Sequence, residues 1–381
     1  MTVVRESEFV RNHSIFELMA QSGYSVSDLA PAFPGMTIAE IEEIYNDNRL
    51  SLRRTYERFG YLGIRACVSR NFNISETGSR SNGMTSTTSN DTYRIHCYGG
   101  STTVGDGVAD FQTISAYLET DLNSRNKNKF AVINFGAGNH TSLHSTLRLL
   151  DHCLTGNVPD HAIFLNGFND CYYSAGGADG IAPFLDEVLR LSQDSEFRHS
   201  KLSEIVNLIP NYSTENSLTR ESDFSANFIA QCLENVKKRY SSAVAIQKFV
   251  ESSFGVKIQR FIEPNRSVSC RDDQDLLPKL QDSYSQRRLV SFLYKEIDRI
   301  GVRKVFGKDV ISLLKVHQEL QCFPLYLDGI HFTPEMNKWI ATRIGARVAT
   351  KRGSRRLTKF GSEASVTSKN ELTNPDNYPL F

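Results

Sequence analysis

The stretch that most constrains the fold runs from Tyr93 to Gly107 and reads Tyr-Arg-Ile-His-Cys-Tyr-Gly-Gly-Ser-Thr-Thr-Val-Gly-Asp-Gly. It opens with alternating apolar and polar residues, which is typical of a β-strand. The pair Gly99–Gly100 then allows the backbone a sharp turn before Ser101. Gly105 and Gly107 are expected to bring the backbone close to a ligand.

A helical pattern follows this turn from Ala109 to Leu122, with Phe111, Ile114 and Leu118 apolar at spacings of three and four. Strand, glycine turn, serine and helix therefore succeed one another. In an open parallel sheet, ligands bind at such a place, outside the carboxyl end of a strand. A serine there can act as a nucleophile if another part of the chain supplies a base.

From Thr92 onward, strand patterns alternate with helix patterns. This order predicts an α/β fold, a flavodoxin-like three-layer sandwich with a mostly parallel sheet, preceded by an N-terminal helical segment. The predicted strands are Tyr93–Cys97, Phe130–Phe135, Ala162–Leu165, Val256–Phe261 and Leu325–Leu327. The predicted helices are Ala109–Leu122, Thr141–Leu154, Ala182–Leu191, Phe224–Phe254, Gln286–Ile300 and Pro334–Val348.

The α/β domain is expected to occupy residues 92–350. Residues 1–91 indicate a mostly helical accessory segment and linker, in which a capping box at Thr37–Glu40 opens a long helix towards Phe59. Two polar, aperiodic stretches indicate insertions or lids over the site, and the basic, polar tail is expected to be disordered. The stretches are residues 193–222 and 263–282, and the tail is residues 351–381.

Composition argues against several classes of protein. The formal net charge of +1 gives no overall attraction to nucleic acid or to an anionic membrane. No apolar run is long enough to span a bilayer. The N-terminus lacks the basic start and apolar stretch of a secretory signal, so a cytoplasmic protein is expected if the sequence begins at its natural start. The seven cysteines are scattered and form no CxxC pair, which favours reduced thiols over a cysteine zinc site.

Two further blocks carry groups that could stabilise an oxyanion. Gly138 lies in a glycine turn between a predicted strand and a predicted helix, where a backbone N–H can face a developing negative charge. Asn169 follows the buried strand Ala162–Leu165, and its side-chain amide can donate to the same charge; Asp170 is expected to fix this loop through backbone bonds. Each block also has a plain structural interpretation as a turn. Their combination with the serine is what indicates a reaction.

The last block supplies a base. Asp328 and His331 lie on a loop that leads into a helix, with Thr333 as N-cap and Pro334 as its first residue. Their spacing allows the carboxylate to fold back onto Nδ1 of the histidine. Nε2 would then be left to accept a proton from a serine hydroxyl.

In this order, the four blocks resemble those of the SGNH (GDSL-like) hydrolase family. Gly99-Gly-Ser-Thr102 is similar to the family's Gly-Asp-Ser-Leu block, with Gly100 in place of the usual Asp, as in a subset with a Gly-Gly-Ser-Thr-Thr block. Gly138, Asn169 and Asp328-Gly-Ile-His331 match the later blocks of the family. The resemblance covers roughly residues 93 to 348, and the accessory segment and insertions lie outside it.

The resemblance implies a serine esterase that forms an acyl-enzyme. Ser101 would attack an ester carbonyl, His331 would act first as base and then as acid, and Asp328 would orient His331. The backbone N–H groups of Ser101 and Gly138 and the side chain of Asn169 would form the oxyanion hole. No metal or organic cofactor is required. The implied substrate is a small-molecule or carbohydrate ester, with O-acylated carbohydrates or glycoconjugates as one such class.

Three alternatives stay open from the sequence. An O-acyltransferase would use the same site and differ only in whether water or an acceptor hydroxyl receives the acyl group. A non-catalytic binding module could retain the fold. A metal site at His140 and His144, one helical turn apart, is less favoured because no Glu follows His140 and no third ligand is evident.

Overall fold

The computed structural model describes residues 19, 23–57, 61–83, 92–126, 129–176, 224–271, 274, 276–277, 285–320 and 324–350. The predicted helix Ala182–Leu191, the insertion at 193–222 and the tail at 351–381 lie outside the described residues.

A parallel sheet of five strands forms the centre of the fold, with a separate antiparallel pair before it. The strands are β1 (Arg54–Tyr56), β2 (Leu62–Ile64), β3 (Tyr93–Gly99), β4 (Phe130–Asn134), β5 (His161–Asn166), β6 (Lys257–Ile262) and β7 (Val310–Ser312). β1 pairs with β2, and the order of the larger sheet is β4-β3-β5-β6-β7 with every neighbour parallel. This is the flavodoxin-like strand order. The predicted α/β fold class is confirmed.

Helices cover this sheet. The α-helices are α1 (Ile38–Asn48), α2 (Ser101–Val104), α3 (Ile114–Arg125), α4 (Ser142–Leu154), α5 (Phe168–Tyr172), α6 (Ala226–Phe254), α7 (Ser285–Ile300), α8 (Val302–Phe306) and α9 (Pro334–Thr350). Short 3-10 turns occur at Val26–Ala32, Arg49–Leu52, Asp110–Gln112, Ser174–Gly176 and Val316–Gln318. Within the residues described above, no helix combines the length and the apolar character needed to cross a membrane.

Side chains of the central strand β5 alternate between two apolar layers. Ile163 and Leu165 belong to the core cluster that includes buried residues of α3 and α9. Ala162 and Phe164 belong to the cluster that includes buried residues of α4 and α6. A parallel strand covered by helices on both faces is expected to be apolar, as Ala162–Leu165 in the middle of this one is.

One predicted strand is wrong. Leu325–Leu327 contributes only an isolated bridge between Tyr326 and Phe332. The stretch pairs with the residues that follow it, since the Leu327 N–H donates to the His331 carbonyl over 2.8 Å. The fifth strand of the sheet is β7, whose three residues are too few to show a pattern in the sequence.

The predicted helix Ala109–Leu122 is divided in two. A 3-10 turn precedes Thr113, whose side chain caps α3 by accepting a hydrogen bond from the Ala116 N–H at 3.2 Å. Phe111 therefore lies in the turn and is 54% exposed, whereas Ile114 and Leu118 are buried as predicted. Phe249 on α6 is likewise 54% exposed.

The N-terminal segment packs against the stretches that carry the candidate site. The predicted capping box is confirmed, with the Thr37 N–H donating to Glu40 at 2.8 Å. Helix α1 ends at Asn48 rather than near Phe59, and a 3-10 turn at Arg49–Leu52 then leads into β1. Buried residues of α1, including Tyr45, share one apolar cluster with Val108 and Leu327. The proposed division at residue 92 stays a prediction.

Candidate active site

Three of the four sequence blocks follow neighbouring strands at the carboxyl edge of the sheet. β3 leads to Ser101, β4 to Gly138 and β5 to Asn169, and these three strands are parallel neighbours. β6, the next strand along, ends at Ile262 and is followed directly by Glu263. Polar groups from distant parts of the sequence are therefore collected at one edge.

Ser101 is the first residue of the short helix α2. Gly100 precedes it in an extended conformation, and α2 ends at Gly105, whose φ of 87° lies in the left-handed region. Thr102 is buried while Ser101 is partly exposed. Within the described part of the chain the Ser101 hydroxyl forms no hydrogen bond, with His331 or with any other group. Bonds between a nucleophile and its base are often loose before substrate binds.

The two later glycines lie against protein side chains. A Cβ on Gly107 would lie 2.8 Å from the side chain of Leu327, and one on Gly105 would lie 2.8 Å from Thr113. Both glycines have positive φ angles. They allow a tight turn packed against protein atoms, and contact of this turn with a ligand stays a prediction.

The turn that carries Gly138 lies beside the nucleophile turn. The Ala137 N–H donates to the Gly99 carbonyl at 3.1 Å and ties the two turns together. Gly138 is buried, and among the described residues its N–H has no acceptor. Asn139 completes the turn with a φ of 67°.

Asn169 is buried against the same turn. Its Nδ2 donates to the His140 carbonyl at 3.0 Å and lies 2.5 Å from the position that a Cβ on Gly100 would occupy. The His140 bond uses one of the two amide hydrogens, and an amide carries a second. That second hydrogen is the one that an oxyanion could use.

Asp170 connects the block that carries Asn169 to the block that carries Gly138. Its carboxylate accepts hydrogen bonds from the Ser142 hydroxyl at 2.7 Å and from the Ser142 N–H at 3.2 Å, at the start of α4. Burial raises the pKa of Asp170, while the nearby charge of Arg239 acts in the opposite direction. Arg239 also donates to the Asp170 backbone carbonyl at 2.8 Å.

Asp328 and His331 form the pair that their spacing predicts. Oδ2 of Asp328 lies 2.7 Å from Nδ1 of His331, and Oδ1 accepts the N–H groups of Ile330 at 3.0 Å and His331 at 2.8 Å. A carboxylate only accepts hydrogen bonds, so Nδ1 carries the proton and Nε2 of the neutral ring is the basic nitrogen. Thr333 caps α9 as expected, since its hydroxyl oxygen accepts from the Met336 N–H at 3.3 Å.

The sequence patterns missed Glu263. Its side chain is buried, with Oε2 accepting the Thr102 hydroxyl at 2.6 Å and Oε1 accepting the Phe168 N–H at 2.7 Å. Burial raises the pKa of Glu263 to about 7; the hydrogen bonds from Thr102 and Phe168 oppose the rise, Asp170 adds to it, and His331 opposes it. Glu263 is the first residue of the stretch 263–282, which the sequence predicts to be an insertion or lid. The available signal was the position of an acidic residue directly after a buried parallel strand.

The histidines of the alternative metal site lie near each other on α4 and the turn before it. The ring centroids of His140 and His144 are 5.7 Å apart, and the His140 ring also contacts the Tyr61 ring edge-on. In the described ranges, no three His, Cys, Asp or Glu side chains come together as a group able to hold a metal ion.

No protein-family model and no curated protein matches this sequence. Several solved structures resemble it at low identity. The acetyl xylan esterase AlAXEase is 16% identical with a TM-score of 0.36, over 67% of this chain and 99% of that one. A lipase/acylhydrolase from Enterococcus faecalis is 16% identical with a TM-score of 0.36, over 68% and 95% of the two chains. Est24, a carbohydrate acetylesterase from Sinorhizobium meliloti, is 15% identical with a TM-score of 0.33, over 68% and 98%. Likenesses this distant carry no information on substrate or reaction.

Proposed function

We propose that this chain is a serine-dependent esterase of the SGNH type, an acyl hydrolase that works through an acyl-enzyme. The observation that carries this proposal is the Asp328–His331 pair, with Oδ2 and Nδ1 2.7 Å apart. A carboxylate that holds a partly exposed histidine is the arrangement that activates a serine hydroxyl. The position of Ser101 in the turn after β3, at the carboxyl edge of the sheet, supports the same reaction.

In the proposed reaction, the Ser101 oxygen forms a bond to the ester carbonyl carbon while Nε2 of His331 takes the hydroxyl proton. The tetrahedral intermediate then collapses, and the same proton passes from His331 to the departing alcohol. Water attacks the acyl-enzyme in a second round that releases the acid and restores the serine. Asp328 stays ionised and stabilises the imidazolium that forms in each round.

The oxyanion would be held by the N–H groups of Ser101 and Gly138 and by the second amide hydrogen of Asn169. The contact between Asn169 and Gly100 supports this assignment, because it brings the amide against the nucleophile turn. Donors already fixed by the fold need no reorganisation when charge develops. The bond from Asn169 to the His140 carbonyl provides that fixation.

The proposed substrate is a small-molecule or carbohydrate ester, and O-acylated carbohydrates are the class that the motif resemblance implies. A cytoplasmic location belongs to the same proposal. An O-acyltransferase would share each residue named above, so the test must include an acceptor.

Hydrolysis of p-nitrophenyl acetate and release of acetate from an O-acetylated sugar test the proposal. Wild type should be active on at least one of the two, Ser101→Ala should be inactive, and Ser124→Ala should match wild type because Ser124 is exposed on α3. Adding a free sugar acceptor separates transfer from hydrolysis, since transfer yields an acylated sugar in place of free acid. Folded wild type that is inactive on both substrates and forms no acylated sugar would contradict the proposal.

A further inference from the structure

Glu263 lies outside the four blocks and contacts two of them. Thr102, which donates to its Oε2, is the residue after Ser101. Phe168, whose N–H donates to its Oε1, is the residue before Asn169. We infer that Glu263 is a positioning residue that holds the turn with the nucleophile and the turn with the oxyanion donor in register. The inference rests on the proposed function.

The Glu263 carboxyl group is positioned to hold the Ser101 turn and the Asn169 turn at a fixed distance from each other. Its backbone is fixed to the sheet, since the Glu263 N–H donates to the Asn166 carbonyl at 3.1 Å. The two side-chain bonds, at 2.6 and 2.7 Å, use different carboxylate oxygens. Bonds this short are typical of charge-assisted hydrogen bonds. A small misplacement of reacting groups can lower turnover about a hundredfold, so a clamp between the two turns has consequences for rate.

The charge of His331 also lowers the pKa of Glu263, against the larger effect of burial. Among the described residues, Asp170 raises the pKa of Glu263. Burial first, and then nearby charges that include Glu263, raise the pKa values of Cys171, Tyr294 and Tyr326. The attraction between Glu263 and the imidazolium is mutual. An ionised Glu263 therefore favours the protonated histidine that forms during the reaction, and Asp328 favours it as well.

A carboxyl group with no part in the reaction would still stabilise the fold through its two bonds. The test therefore needs a quantity that stability alone does not change. The pH dependence of kcat/KM is such a quantity, because it reports ionisation of the free enzyme.

Two variants separate the charge of Glu263 from its hydrogen bonds. Glu263→Gln keeps an acceptor for the Phe168 N–H and places an amide donor next to the Thr102 hydroxyl, so it removes mainly the charge. Thr102→Val removes one hydrogen bond and leaves the charge. Glu234→Gln, at an exposed position on α6, is the matched control.

We expect Glu263→Gln to move the acid limb of kcat/KM on p-nitrophenyl acetate to lower pH, with the effect confined to the range around and above pH 7 in which Glu263 is ionised. We expect Thr102→Val to lower kcat about tenfold without moving that limb. The control should match wild type in both quantities. Urea unfolding of each variant identifies the folded fraction, to which rates are normalised.

Fluorophosphonate labelling of wild type separates failure of the inference about Glu263 from failure of the proposed function. If wild type is labelled at Ser101 while Glu263→Gln and Thr102→Val retain wild-type kcat and pH profile, the inference is overturned and the proposed function stands. If folded wild type is neither labelled nor active, the proposed function fails, and the positioning role fails with it.

Discussion

The side-chain amide of Asn169 occupies the space next to Gly100, with Nδ2 only 2.5 Å from where a Cβ on residue 100 would stand. The backbone of Gly100, at φ −83° and ψ −154°, is open to any residue. The glycine is therefore needed for space rather than for conformation. A larger residue at position 100 would require the Asn169 side chain to shift.

Gly100→Ala should lower kcat by displacing Asn169 from its place against the nucleophile turn. Removing one oxyanion donor costs on the order of a hundredfold in turnover, so Asn169→Ala should lower kcat by about that factor and KM much less. Because both changes act through the same amide, the double variant should be no slower than Asn169→Ala within about twofold. Steady-state kinetics of the three variants measures this, and losses that multiply would contradict the shared mechanism.

Asp328→Asn should reduce kcat about a thousandfold or more at neutral pH, since an amide cannot stabilise the imidazolium and favours the wrong tautomer. Asp328 is also fixed by the N–H groups of Ile330 and His331, so circular dichroism should accompany the kinetics. Asp309→Asn, at an exposed turn before β7, is the control and should keep full activity. A folded Asp328→Asn protein with near wild-type kcat would show that His331 needs no carboxylate.

Glu263 should make the stability of the protein depend on pH. Its pKa is about 7 in the folded chain against an ordinary 4.5, so the folded state binds this proton more tightly than the unfolded state does. The stabilisation is complete below about pH 4.5 and is lost as pH rises through about 7. Over that pH range, titration of Glu263 lowers the free energy of unfolding by up to about 3 kcal/mol.

Glu263→Gln removes this dependence. Urea unfolding at pH 5 and pH 8 should show that the variant gains stability relative to wild type as the pH rises. A difference between the two proteins that is the same at both pH values would contradict a carboxyl group that titrates in this range.

Local features were predictable from the sequence. The bond between Asp328 and His331 and the capping box at Thr37 each join residues three positions apart, so the spacing alone determines that they can meet. The long apolar strands were equally visible, because helices cover both faces of β5 and leave no polar side. The flavodoxin-like sheet follows from the order of those elements.

The features that sequence patterns missed depend on distant partners. Glu263 meets Thr102 across 161 positions and Phe168 across 95, and nothing near it in the sequence records either contact. The strand predicted at Leu325–Leu327 and the real strand β7 are both three-residue runs, which periodicity cannot tell apart. Phe111 fits a helical face, yet Thr113 starts the helix after it.

The proposed function requires Ser101 and His331 to act together. The rate of fluorophosphonate labelling at Ser101 measures this directly. Wild type should be labelled stoichiometrically at Ser101, identified by peptide mass spectrometry. Ser101→Ala should take up no label, and His331→Ala should be labelled at least about a hundredfold more slowly, since general-base catalysis contributes about that much or more. Labelling of folded His331→Ala at the wild-type rate, or of wild type at a residue other than Ser101, would contradict the account.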